Sequence, residues 1–138
     1  MPEQHPLIDP AAILDLAGQL DSPAAALRFL SDYLGMLQGR LGRILIGLHE
    51  EDPEVSMDAI LSLKISSAMN GARAAASSCR SLEALVRGGC FELARTEASK
   101  LTAIVSLLTD EAATLLGQAQ TVLALGGPAD GFSESWAA

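Results

Sequence analysis

The chain has 138 residues, a formal net charge of −8 and 49% hydrophobic residues, which makes one domain with one core and excludes a disordered chain. The acidic balance argues against a nucleic-acid binder, which needs a basic surface to neutralise phosphates, and against docking on an anionic membrane. No apolar run approaches the roughly 20 residues that span a bilayer, and the start Met1-Pro-Glu-Gln-His-Pro6 lacks a basic segment followed by an apolar core, so the default expectation is a cytoplasmic protein without a signal peptide.

Ala and Leu dominate and aromatic residues are few, a composition that favours helix over strand. Residues 1–8 are read as a flexible arm. Asp9-Pro10 is a helix start, an N-cap with Pro at the first helical position. It opens a short helix to about Leu20, with Ile13, Leu14, Ala17 and Leu20 as its expected buried side. Asp21-Ser22-Pro23 stops it and starts a second helix to about Glu50. There Leu27, Leu30, Leu34, Leu37, Leu41, Ile44 and Leu48 alternate at spacings of three and four, the seam of a helix packed at a shallow angle. Gly35, Gly39 and Gly42 lie on another side, either a path for close approach of another backbone or glycines tolerated on a solvent face.

Asp52-Pro53 starts the third helix, which runs to about Asn70 and stops at Gly71. At about 100° per residue this helix has two apolar faces. Val55, Ala59, Ile60 and Leu63 lie on one, with Ser66 and Ser67; Met57, Leu61, Ile65 and Ala68 lie on the other, flanked by Asp58 and Lys64. A surface helix needs one apolar stripe, so the second asks for a partner. The fourth helix, Ala72 to Arg87, has Ala75, Cys79, Leu82 and Val86 as its seam and Arg73, Arg80 and Arg87 on its opposite side. After Gly88-Gly89 a fifth helix, expected to be the longest, carries Leu93, Ala94, Leu101, Ile104, Val105, Leu108, Ala112 and Leu115. Its pattern extends past Gly117 toward Leu125, with a bend expected at that glycine. Gly126-Gly127-Pro128 is a stop, and residues 126–138 are read as a mobile tail. Short connections make sequential helices antiparallel neighbours. The expected fold is all-α, an antiparallel up-down-up-down four-helix bundle over residues 9–125 with a short extra N-terminal helix.

Chemistry-bearing residues are sparse. Cys79 and Cys90 fit no metal-ligand spacing and read as reduced core residues. His5 and His49 are the only histidines, one in the arm and one at the end of the second helix. There is no nucleophile–base pair, no Gly-rich phosphate loop and no ligand cluster, so neither an enzyme nor a cofactor or metal is expected.

The stretch Leu61-Ser-Leu-Lys-Ile-Ser-Ser-Ala-Met-Asn-Gly-Ala72, followed by Cys79-Arg-Ser-Leu-Glu83, resembles the histidine-containing phosphotransfer (HPt) domain of bacterial phosphorelays. In that family the stretch looks like His-x-Leu-Lys-Gly-Ser-Ser-Ala-x-x-Gly-Ala, then Cys-x-x-Leu-Glu. The resemblance covers about Ser22 to Leu116. Leu63, Lys64, Ser66, Ser67, Ala68, Gly71, Ala72, Cys79, Leu82 and Glu83 fall on the motif. Leu61 stands where the family has its phosphoacceptor histidine, and Ile65 where it has a glycine that admits the receiver domain. Leucine offers no nucleophile. The resemblance therefore implies the HPt fold and docking surface without its chemistry, in a two-component signalling protein that binds a receiver or histidine kinase domain. The implied partner-binding residues are Met57, Leu61, Lys64, Ile65, Ala68, Arg73 and Arg80, and no catalytic residue is implied. The alternative is a structural bundle that homodimerises or binds a partner helix through Met57, Leu61, Ile65 and Ala68. A third expectation leaves Leu61 covered by the C-terminal tail through Phe132 or Trp136.

Overall fold

A computed structural model describes residues 6–126, and these are entirely helical apart from their connections. Six helices follow one another: α1 (Pro10–Leu20), α2 (Pro23–His49), α3 (Pro53–Met69), α4 (Arg73–Arg87), α5 (Phe91–Asp110) and α6 (Ala112–Gly126). Three of the starts are built alike. The Asp9 carboxylate accepts from the Ala11 amide, the Ser22 hydroxyl from Ala25 and the Asp52 carboxylate from Val55, each at 3.0 Å. Each is followed by Pro at the first turn, and such a cap contributes about 1 kcal/mol. α4 and α5 begin without a side-chain cap. Their approach is shaped by Gly71 and Gly89, with φ of +76° and +72°, backbone that L side chains rarely adopt.

The core follows from the α2 seam. Leu30, Leu34, Leu37, Leu41, Ile44 and Leu48 are buried and meet Ile60 and Leu63 of α3, Leu82 of α4 and Leu101 and Val105 of α5 in one cluster. α2 packs on α3 and α5, α3 on α4, and α4 on α5, which closes a circuit of four helices. α1 and α6 pack on each other and on α2. Where α2 passes α3, Gly47 admits Ser56 so closely that a Cβ there would sit 2.8 Å from its Oγ and 3.0 Å from its Cα. Inside the same interface the Tyr33 and Ser67 hydroxyls are hydrogen-bonded at 2.7 Å, and burial pushes the Tyr33 phenol up to about 12.

Several expectations are corrected. The long fifth helix breaks at Glu111, not at Gly117, and α2 with its 27 residues is the longest helix. The Thr109 hydroxyl donates to the Val105 and Ser106 carbonyls at 2.8 and 3.0 Å just before the break. The chain turns there to lay α6 against α1 and α2. Gly117 sits unbent and exposed inside α6. In α1 the buried residues are Ile13 and Leu16, whereas Leu14 and Leu20 are exposed. α1 packs on α2 and α6 together, and their direction rotates its inner face by about one residue; Leu14 is left at the rim, beside Gly126. Leu93 is exposed too, because Ala94, Ala98, Leu101, Val105 and Leu108 form the inward row of α5. Val55 is exposed at the first turn of α3, and Ser56 is buried in its stead. The expected arm up to residue 5 and the expected tail from residue 127 lie outside the described residues.

Candidate functional site

α3 meets its neighbours through Ser56, Ala59, Ile60, Leu63 and Ser67, all buried. That fixes the opposite side of the helix toward solvent. Ile65 stands at the centre of this outer side with 57% exposure, and Met69 follows one turn later with 40%. Ala68 is exposed, while Leu61 and Met57 are half-buried, Met57 packing on the core cluster. Five of these positions form an apolar ridge along α3, its N-terminal end marked by Asp58 and Glu54. Met69 was not among the residues expected from the sequence. Its place one turn beyond Ile65 was the available signal.

The ridge has polar borders on both sides. Toward α2, the Arg40 guanidinium donates through Nη1 to the Ser62 and Ser66 hydroxyls at 3.0 and 3.3 Å, and Arg43 pairs with Asp58 at 3.2 Å. Toward α4, Lys64 Nζ lies 2.7 Å from Glu83 Oε1, and Arg87 lies 2.7 Å from Glu83 Oε2. The Glu83 side chain is only 11% exposed, yet the hydrogen bond from Lys64 and the nearby Arg87 charge hold its carboxyl below the usual range. Lys64 is therefore committed to Glu83. Arg73 is exposed and pairs with Asp9 at 3.3 Å. Arg80 is exposed between Arg73 and Arg87 on the outer side of α4 and makes no ion pair with the described residues.

The sequence-expected site residues thus fall into two groups. Met57, Leu61, Lys64, Ile65 and Ala68 share the outer and α4-facing sides of α3. Arg73 and Arg80 border them from α4. Seven of the nine cationic residues of the chain, Arg28, Arg40, Arg43, Lys64, Arg73, Arg80 and Arg87, lie on α2, α3 and α4, the helices that flank or form this ridge. In a chain of net charge −8 this is a marked local asymmetry.

The other chemistry-bearing groups lie elsewhere. Cys79 is buried in the core as expected, where desolvation pushes its thiol up to about 12 and suppresses the thiolate, whereas Cys90, also expected in the core, is exposed because it falls in the connection between α4 and α5. His49 is exposed at the far end of α2 and His5 lies outside the described residues. Among the described residues, no three His, Cys, Asp or Glu side chains are placed to hold a metal ion. No helix among them is long and apolar enough to cross a membrane. The arrangement is an apolar strip along α3 with cationic residues on both margins.

Comparisons with protein-family models, with curated proteins and with solved structures return no match to this chain.

Proposed function

We propose that this chain is an HPt-like cytoplasmic signalling protein, an up-down-up-down bundle of α2–α5 with α1 and α6 added. It binds a receiver or histidine kinase domain of a two-component phosphorelay and does not itself accept phosphate. The observation that carries this reading is the side chain at the phosphoacceptor position. Leu61 is half-buried, with exposed Ile65 one turn on, in a stretch whose other residues keep the HPt pattern. An apolar side chain there supports docking and no phosphoryl chemistry. Burying a side chain of this size is worth about 1.5–3 kcal/mol before association costs, so Leu61, Ile65 and Met69 together suffice to anchor a partner. Arg80 and the margins around it favour an acidic partner surface and speed encounter more than they tighten the complex.

Lys64 supports the same reading. With its ammonium engaged by Glu83 at 2.7 Å, it is not free to steady a phosphate on a docked domain. Binding should therefore differ little between phosphorylated and unphosphorylated receivers. The test is to incubate the purified chain with phosphorylated and unphosphorylated receiver domains of its own organism and to follow both label transfer and complex formation by calorimetry. We expect a complex, no label on the chain, and loss of the complex in Leu61→Asp and Ile65→Asp. Label on the chain defeats the absence of chemistry, and no complex with any receiver or kinase domain defeats the adaptor role. A solution mass of a dimer that Ile65→Asp converts to a monomer instead assigns the ridge to self-association.

A further inference from the structure

The outer side of α2 is unpartnered and distinct from the α3 ridge. Gln38 reaches Thr109 of α5 at 3.5 Å and Arg40 reaches Ser62 of α3 at 3.0 Å, so Gly39 between them lies on the line of α2 that faces away from the bundle. At about 100° per residue, Arg28, Asp32, Ile46 and Glu50 fall within about 20° of that line, and Gly35, Met36, Gly42 and Arg43 within about 60°. All are exposed except half-buried Gly42, with Met36 at 47% and Ile46 at 57%. A Cβ at Gly35, Gly39 or Gly42 would meet nothing within 4 Å, whereas Gly47 of the same helix admits Ser56. Glycine weakens a helix interior relative to Ala, and at these three positions the packing of the subunit does not require it.

We propose that this face pairs with the same face of a second copy of the chain, the two α2 helices running antiparallel about a two-fold axis at Gly39. The charges select that arrangement. Arg28 and Glu50 lie equally far on either side of Gly39, as do Asp32 and Ile46. An antiparallel pair therefore sets Arg28 opposite Glu50 of the partner subunit, and Asp32 opposite Ile46 of the partner subunit, one turn from Arg43 of the partner subunit. A parallel pair would set each charge against itself, which is repulsive. Among the described residues Arg28, Asp32 and Glu50 make no ion pair within the subunit, and exposed Arg43 pairs with Asp58 but keeps further guanidinium donors. Two cations and two anions make the strip neutral in a chain of net charge −8, so two copies meet here with little repulsion. Met36 lies opposite Gly42 of the partner subunit and fills the open space at the glycines, and the burial of Met36 and Ile46 supplies the apolar contact. The pairing is isologous and closed, so association stops at two copies. One pair of helix faces is smaller than a standard interface of about 800 Å² per partner, so the dimer is weak.

Sedimentation equilibrium of the full-length chain from about 1 μM to about 1 mM, the range of weak affinities, reads the pairing. We expect a mass that rises with concentration from the 14.3 kDa of one chain to twice that value and no further. Gly39→Lys sets like charges against each other on the axis and should hold the chain at the monomer mass throughout. A Cβ at Gly39 has open space in the subunit, so the thermal midpoint of that variant should be equal or higher and its helicity retained. Arg28→Glu should weaken the dimer severalfold, and Glu50→Arg added to it should restore the wild-type affinity. The two positions lie about 33 Å apart along one helix and meet only across the axis, so a rescue reports the antiparallel register. Ile65→Asp, on α3, should leave the dimer unchanged. A wild-type chain that stays monomeric throughout overturns the proposal. So does a dimer that survives Gly39→Lys, that Glu50→Arg fails to rescue, that grows beyond two copies, or that Ile65→Asp abolishes.

Discussion

α3 and α4 are neighbours of similar length, yet they treat their outer sides in opposite ways. α4 is strictly two-sided: Ala75, Cys79, Leu82 and Val86 point inward and Arg73, Arg80 and Arg87 outward. α3 is apolar on both sides, with Ile60 and Leu63 fully buried and Ile65 and Met69 in solvent. A helix stabilised only by its own bundle has no use for the second stripe. The contrast separates residues that hold the fold from exposed apolar residues that the bundle does not use, and substitutions on α3 test the division directly.

The largest effect should come from the inner side. Leu63→Ala deletes most of a fully buried side chain and should cost about 2–5 kcal/mol in urea unfolding; a cost below about 1 kcal/mol would show that the inner face is looser than its burial implies. Next is Gly47→Ala, whose new Cβ would meet Ser56 backbone as well as its hydroxyl. Overpacking there should cost about 1–3 kcal/mol, whereas the same change at Gly39, with open space around it, should leave stability equal or raise it by up to about 1 kcal/mol. Equal effects at the two glycines would contradict the close α2–α3 approach. Tyr33→Phe removes one buried hydrogen bond to Ser67 and should lower stability by about 1–2 kcal/mol in the same assay. Ile65→Ser, on the outer side, should change stability by less than about 0.5 kcal/mol while weakening the complex with a receiver or kinase domain. If Ile65→Ser destabilises the isolated chain as Leu63→Ala does, the two sides of α3 are not distinct in role.

Much of the helical layout was legible because its signals are local. Asp9-Pro10, Ser22-Pro23 and Asp52-Pro53 mark three starts that the structure caps as expected, and the α2 spacing of three and four maps onto its buried row. The break at Glu111 was not legible. No glycine or proline marks it, and Thr109, whose hydroxyl bonds the Val105 and Ser106 carbonyls just before it, looks the same in sequence as Thr102 or Thr121, which make similar bonds without a break. The direction of α1 was equally hidden, since Leu14 and Ile13 have the same character and only the position of α6 decides which is covered. Of the candidate site, the outward side of α3 could be drawn from the helical period alone. The engagement of Lys64 with Glu83 could not, because it depends on how α3 and α4 are set against each other.

One small contact carries a consequence for how the chain assembles. Asp9 donates its amide to the Gly71 carbonyl at 2.9 Å, caps α1 through Ala11 and receives Arg73 at 3.3 Å. Gly71 has no room for a side chain there, since a Cβ would lie 2.9 Å from the Asp9 carbonyl. This fastening joins the start of the chain to its midpoint, so the entropy of closing a long loop weighs against forming it early. It should close late in folding and open first. Hydrogen exchange would then register the Asp9 amide as the reporter of α1 release, at a lower free energy than the amides of α2, and the α3–α4 corner would loosen in the same opening event.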